Sequence, residues 1–265
     1  MHTTAETGFP STHGRTHEER IGVLVVESAA PRSARKEHVM SRATAKVGIW
    51  SASLSAVLSI LWFITYQLRD VIASVPPWQD TGAYAEAFSK LRILYVYPSM
   101  LLVFTFIALM ACIYLRTKNE KQVWALVALC IAILYGAMAS INYNIQAASV
   151  APSLQAGWTA GIQMLLPDNP ASLFTALGNS YVYMAVAMVA ASLALGASSL
   201  ERWIKWLFGA QIATAIGQAG WSMFGLPEAV LIATGLVWVI GAPIAFILLA
   251  LLFRQESAVR QTQSL

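Results

Sequence analysis

Val47-Gly-Ile-Trp-Ser-Ala-Ser-Leu-Ser-Ala-Val-Leu-Ser-Ile-Leu-Trp-Phe-Ile-Thr-Tyr-Gln-Leu68 runs for 22 residues without one Asp, Glu, Lys, Arg or His. At 1.5 Å per helical residue, such a run covers the roughly 30 Å hydrocarbon core of a bilayer. Lys46 stands just before it and Arg69-Asp70 closes it. The run reads as a transmembrane helix, and the same reading repeats down the chain.

Further apolar runs at about 93–115, 123–144, 174–197, 204–224 and 229–253 give six predicted spans. The expected fold class is therefore all-α, a polytopic transmembrane helix bundle. Composition agrees, because 57% of the 265 residues are hydrophobic, only 11% are charged and the mean hydropathy is +0.60. A soluble domain carries about 25% charged residues. Residues 1–46 are polar and read as a disordered N-terminal segment, with Met40 as an alternative start to Met1. Residues 254–265 read as a polar tail.

Six spans put both termini on one side. That side carries fourteen Lys and Arg, against Arg69, Lys90 and Arg92 on the other. The two short loops 116–121 and 198–205 alone carry five of the fourteen. The positive-inside rule then places both termini in the cytoplasm, with the chain in the cell membrane. The net charge of +4 follows this alternation of loops. It points to a lipid bilayer as partner and away from nucleic acid.

Several chemistries are excluded by what the spans lack. Away from their ends they hold no acid, base or histidine, so transport through a buried carboxylate and Schiff-base chemistry have no carrier residue. His2, His13, His17 and His38 all precede the first span, and Cys112 and Cys130 are lone. No metal site or other cofactor is expected. No phosphate loop, H-E-x-x-H or G-x-S-x-G occurs, and no catalytic constellation can be named. Asp70, Asp80, Glu86, Asp168 and Glu228 in the outer loops read as solvated surface charge.

Neutral polarity remains. Ser140-Ile-Asn142-Tyr-Asn144-Ile-Gln146 is the densest amide group in the spans. Asn142 and Asn144 point about 200° apart on a helix, so one pocket cannot take both. Asn179, Tyr181 and Tyr183 lie in the outer half of span four. Gln211, Thr214 and Gln218 share a face of span five by their spacing. The candidate ligand-binding set is Asn142, Gln146, Asn179, Tyr183, Gln211, Thr214 and Gln218, with helix-to-helix hydrogen bonding as the competing use. Ser51, Ser55 and Ser59 form a stripe on span one, and Ala128, Ala132, Gly136 and Ser140 form one of small side chains on span three. Trp50, Trp124, Trp203 and Trp206 read as an inner interfacial belt, and Tyr66, Tyr95, Tyr97 and Trp221 as an outer one. Tyr135, Tyr183 and Trp238 fall nearer mid-bilayer.

Asn142-Tyr143-x-Ile145-Gln146, Pro152, Leu154, Gly157, Asn169-Pro170-x-Ser172-x-Phe174-x-Ala176-Leu177 and Leu200-Glu-Arg-Trp-Ile-Lys-Trp-Leu-Phe208 form one extended pattern. Over about residues 142–208 the chain resembles a family of bacterial six-helix integral membrane proteins without an assigned activity. The resemblance implies the topology and supplies no mechanism. Two functions lead: binding or transport of a neutral or amphipathic small molecule, or a structural or accessory membrane subunit, with a membrane-embedded enzyme third for want of a catalytic constellation.

Overall fold

The computed structural model describes residues 40–263, apart from 76, 170 and 171. The expectation of disorder for the first 39 residues lies outside them. The described residues are helical, and no strand occurs among them. Ser41 caps the first helix by accepting a hydrogen bond from the Thr44 amide at 3.0 Å. Helix α1 then runs Arg42–Ile72, starting before the predicted span because nothing between Ala43 and Lys46 resists a helix. A short α2, Thr81–Ala87, is capped by Asp80 and followed by a 3-10 turn at Lys90–Ile93. Helix α3 is Val96–Arg116, with Pro98 in its first turn where a missing N–H costs little.

Helix α4, Gln122–Ile145, does not stop where the apolar run ends. It continues through a π turn at Gln146–Val150 into α5, Ala151–Gln155. Pro152 has no N–H to give the preceding turn, and the wider turn just before it accommodates that loss. The first part of the predicted loop after residue 144 is thus helix, and that helix ends only near Gly157, where φ is 74°. Span four is split into α6, Leu173–Gly178, and α7, Ser180–Ala194, with Asn179 between them. Gly178-Asn179 pairs the residue with the largest backbone entropy loss and one that competes for backbone hydrogen bonds.

Helix α8, Ser199–Phe224, opens with a capping box between Ser198 and Glu201 and ends at Gly225 in the left-handed region. Helix α9, Glu228–Gln263, passes through Pro243 and carries the expected polar tail along as helix. Among the described residues five helices are long and apolar enough to cross a bilayer: Arg42–Ile72, Lys90–Arg116, Gln122–Gln155, Ala176–Ala194 and Glu228–Val259. This is the character of a membrane-embedded protein. Helix α8 has the length at 26 residues but not the apolarity. Gln211, Gln218 and its glycines dilute the aliphatic residues that would supply it.

The long helices close into a ring in the order α1, α3, α4, α7, α8, α9 and back to α1. Small residues set the close approaches. A Cβ on Gly136 of α4 would lie 2.5 Å from Ile107 and 3.1 Å from Val103 of α3, and one on Gly48 of α1 would lie 2.8 Å from the Phe253 ring of α9. Gly217 of α8 has no room for a Cβ against Thr234 of α9. The serine stripe of α1 is buried, and Ser55 Oγ donates to Thr105 Oγ1 of α3 at 2.9 Å.

One end of the ring is tied by Arg116. It lies 2.7 Å from Glu201 of α8 and 2.6 Å from Glu256 of α9. Glu201 also accepts from the Ser198 hydroxyl at 2.8 Å and the Gly196 amide at 3.0 Å. Lys121 donates to the Leu195 carbonyl at 2.8 Å. Burial works to raise the Glu201 pKa, but the hydrogen bonds from Arg116 and Ser198 outweigh it and hold the carboxyl at about 2 against an ordinary 4.5. A carboxylate held low stabilises the fold fully above its unfolded value and loses that contribution as pH falls through the folded one. The Glu201 contribution should therefore be intact above about pH 4.5 and disappear toward pH 2. Thermal unfolding in detergent across that window checks it, with Glu201→Gln expected to flatten the slope. Gly136→Leu should cost about 1–3 kcal/mol through overpacking against α3. Gly209→Ala, where a Cβ meets nothing within 4 Å, should be neutral or stabilising by up to about 1 kcal/mol in the same assay.

Candidate functional site

The axis of the ring is filled by aromatic side chains from all six long helices. Rings follow one another from Tyr66 to Trp62 at 5.2 Å, Trp62 to Trp238 at 5.0 Å and Trp238 to Tyr181 at 5.7 Å. The series continues from Tyr181 to Tyr135 at 6.0 Å and Tyr135 to Phe106 at 5.7 Å. Phe246 lies 6.1 Å beyond Phe106, and Phe208 a further 6.2 Å away. Tyr95 joins the other end, 5.4 Å from Tyr66. Apart from the stacked Tyr66–Trp62 pair, these contacts are edge-on or tilted, which suits the ring quadrupole. The series is graded: tyrosines and tryptophans occupy the half toward Arg92 and Asp168, and phenylalanines the half toward Arg116.

The graded half has more donors than partners. The Tyr143 and Tyr181 hydroxyls bond each other at 2.6 Å. Trp62 Nε1, Trp238 Nε1, Tyr95 OH and Tyr135 OH are buried with no hydrogen-bond partner. Tyr135 is fully buried, and Tyr95 and Trp238 are 3% and 4% exposed. A buried polar group without a partner costs about 1–3 kcal/mol, so four in one connected cluster call for an explanation.

The predicted site residues separate into three places. Gln211 is fully buried, and its amide donates to the carbonyls of Leu207 at 3.2 Å and Val237 at 3.3 Å. Thr214 donates to the Thr234 carbonyl at 3.0 Å, so both residues tie α8 to α9. Gln218, one turn on, is half-buried on the same helix. Asn142 is buried while Asn144 is exposed and bonds the Ser140 carbonyl at 2.8 Å, as their angular separation requires. Gln146 lies in the π turn, donating to the Leu165 carbonyl at 2.7 Å and leaving its Oε1 without a partner. Asn179 sits at the helix break with an unpartnered Oδ1, and Tyr183 is half-buried on α7.

Two residues placed in the outer belt by sequence turn inward instead. Tyr95 is buried and Tyr66 packs on Trp62, because both stand on the ring-facing side of their helices. Trp50, Trp203 and Trp206 are exposed at 68%, 65% and 76%, as a belt requires. Of the outer acids, Asp70, Asp80, Glu86 and Glu228 are exposed as expected, and the expected solvated state is corrected for Asp168. Arg92 is only 4% exposed, and its guanidinium bonds Asp168 at 3.0 and 3.1 Å, Asp70 at 3.0 Å and the Ala73 carbonyl at 2.9 Å. Asp168 accepts from Tyr84 at 2.8 Å as well. Burial, then the neighbouring Asp168 carboxylate, push the Tyr84 phenol well above its ordinary range. Tyr84, Val150, Leu154 and Leu166 form a small separate core that packs the α2 segment against the π turn and the loop after α5.

No local signal pairs Arg92 with Asp168, which lie 76 residues apart. The inward aromatics were legible only in part, through the mid-span positions of Tyr135 and Trp238. Among the described residues no group of His, Cys, Asp or Glu could hold a metal. A groove of about 390 Å³ runs between α1 and α3, lined by Lys46, Trp50, Leu54 and Phe104. Its lining residues Trp50 and Phe104 are exposed on the outside of the ring, away from the aromatic axis. Comparison with family models, curated proteins and solved structures gives no match.

The Arg92 latch predicts unequal losses. Arg92→Met should destabilise by about 2–3 kcal/mol, less than a fully buried pair because Asp168 keeps 22% exposure. Asp70→Asn should cost under about 1 kcal/mol, since that carboxylate is 59% exposed. Denaturation of both variants under one set of conditions separates them.

Proposed function

We propose that this chain is a multi-pass protein of the cell membrane whose helical ring binds, and in a full cycle transports, a neutral or amphipathic small molecule. The observation that carries this reading is the cluster of buried, unpartnered aromatic donors on the ring axis. Polar groups inside a membrane bundle are normally used up between helices, as Gln211 and Thr214 are. Four indole and phenol donors gathered in one buried cluster supply the apolar faces and polar tips that a small neutral ligand uses.

In this reading α8 is the sixth span. Its low apolarity is offset by its position, because Gln211 and Thr214 spend their polarity on α9 rather than on lipid. By the positive-inside rule, the Lys and Arg that this reading gathers at the Arg116 end support cytoplasmic termini, with the Arg92 latch outside. The six-helix bacterial family that residues 142–208 resemble has the same span count. A structural or accessory subunit is the second reading, favoured by the use of Gln211 and Thr214 as helix-to-helix bonds.

Two experiments test these readings. Single cysteines at Ala197 and Leu226, in a Cys112→Ser/Cys130→Ser background, should react with an impermeant maleimide from opposite faces of the membrane. Labelling of both from one face removes α8 as a span. Thermal-shift screening of purified protein against neutral lipophilic compounds should give dose-dependent stabilisation by some of them. Gln218→Leu tests whether the polar face of α8 takes part, a loss of stabilisation in that variant supporting it. The absence of any stabilising compound, together with co-purification of a stoichiometric partner protein, favours the accessory subunit.

A further inference from the structure

The outside of the ring carries a site of its own, independent of any guest on the axis. We infer that the groove between α1 and α3 seats one acyl chain of an anionic phospholipid of the surrounding bilayer, with the lipid phosphate held by Lys46 and Arg42.

The groove of about 390 Å³ has small residues beneath large ones. Ser51 is buried and Thr105 and Ala108 are half-buried, while Val47, Trp50, Leu54 and Phe104 are between 44% and 68% exposed. Its two hydroxyls are already spent inside the protein. Ser51 Oγ donates to the Gly48 carbonyl at 3.3 Å, and Thr105 Oγ1 accepts from Ser55 and donates to the Leu102 carbonyl at 3.1 Å. What the groove offers along its length is therefore hydrocarbon. One end is cationic, because Lys46 lines it there and Arg42 stands one turn further out on the same face of α1. Arg69, Arg92 and Arg116 are each met by a carboxylate, whereas the exposed Arg42 and Lys46 side chains enter no ion pair or hydrogen bond among the described residues.

This order of chemistry selects the occupant. Two cations, an exposed indole at Trp50 and then an apolar groove repeat the order of phosphate, glycerol ester and acyl chain in one leaflet. Gly48 packed beside Phe253 of α9 sets the cations at the end of the ring that Arg116 and Glu256 tie. From Lys46 to Leu54 the groove runs about 12 Å at the helical rise, within one leaflet's half of the roughly 30 Å core. Trp50, 68% exposed at headgroup depth, has an N–H to give to a phosphate or ester oxygen. Basic recesses between membrane helices recognise anionic headgroups in this way. A zwitterionic headgroup brings its own cation against Arg42 and Lys46 and gains less. A second copy of this chain fits worse, since helices meet closely through small residues and the rims here are Trp, Phe and Leu.

The test is native mass spectrometry of the full-length protein in detergent, titrated with dioleoyl phosphatidylglycerol and, separately, dioleoyl phosphatidylcholine. The parent should be half-occupied by one phosphatidylglycerol at a concentration about tenfold below that needed for phosphatidylcholine. Lys46→Gln should raise the phosphatidylglycerol concentration about fivefold and Arg42→Gln/Lys46→Gln roughly thirtyfold, with phosphatidylcholine little changed. Both side chains are exposed, so these variants should melt within a few degrees of the parent. Arg202→Gln/Lys205→Gln removes two exposed charges from α8, outside the groove, and should leave phosphatidylglycerol binding intact. An equal loss in that variant shows attraction by overall charge and overturns the site. Ala108→Phe fills the groove, keeps both cations and should lower occupancy. Should it fail to fold, dihexanoyl phosphatidylglycerol binding the parent more weakly than the dioleoyl lipid makes the same point. Occupancy that survives the filled groove, or equal binding of the two chain lengths, overturns the seat for the chain. Equal binding of the two dioleoyl lipids overturns the role of Lys46 and Arg42. Displacement by glycerol 3-phosphate at equal concentration shows a phosphate site without a lipid and overturns the assignment. A dimer that retains neither lipid and that Ala108→Phe separates puts a second copy in the groove instead.

Discussion

A ring of six helices must fill its own axis. Neighbouring helices meet through glycine, alanine and serine, which bring backbones close but supply no bulk for the centre. Gly48, Gly136 and Gly217 mark three of these close approaches. The remaining space on the axis is taken by side chains long enough to reach it, and in this chain those are aromatic. Six helices each send at least one ring inward, so the packing that holds the bundle together also gathers its phenol and indole groups in one place. In lipid, where apolar contact with a neighbour gains little over contact with a hydrocarbon tail, this interior packing is the main specific attraction between helices.

Charge is handled in the opposite way, at the two ends. Arg92, Asp70 and Asp168 join the end of α1, the start of α3 and the loop before α6. Arg116, Glu201 and Glu256 join α3, α8 and α9 at the other. A charge on the axis would be costly, while at the ends each arginine is met by two carboxylates. The two clusters tie helices far apart in the chain, and α3 carries or adjoins the arginine of both. That helix is the strut on which the ring is fixed at each end.

Much of this architecture was legible in the sequence. The helix runs and the serine stripe of α1 follow from composition and period. What was not legible has physical reasons. Apolarity marks where lipid ends, not where a helix ends, so α4 continuing to Gln155 and α9 continuing to Gln263 were hidden by polar residues that are still good helix formers. The Arg92–Asp168 pair is a tertiary contact with no local trace. Tyr66 and Tyr95 have the depth of belt residues, and only the rotation of each helix about its axis turns them inward. The Gln211 and Thr214 face was found correctly as a face, but which helix it meets depends on the ring order.

The grading of the axis bears on passage as distinct from binding. A molecule arriving from the Arg92 end meets indoles and phenols first and then the closed apolar plug of Phe106, Phe208 and Phe246, all fully buried. These three rings stand on α3, α8 and α9. Arg116 binds the same three helices together at their far ends through Glu201 and Glu256. On the proposed reading, binding from the Arg92 side asks that the latch, the segment above it and the packed rings of the axis give way. Passage to the other side asks that α3, α8 and α9 part, and the residue resisting that movement is Arg116. If the chain transports as proposed, the ionic cluster at that end is the part of the structure that passage must open.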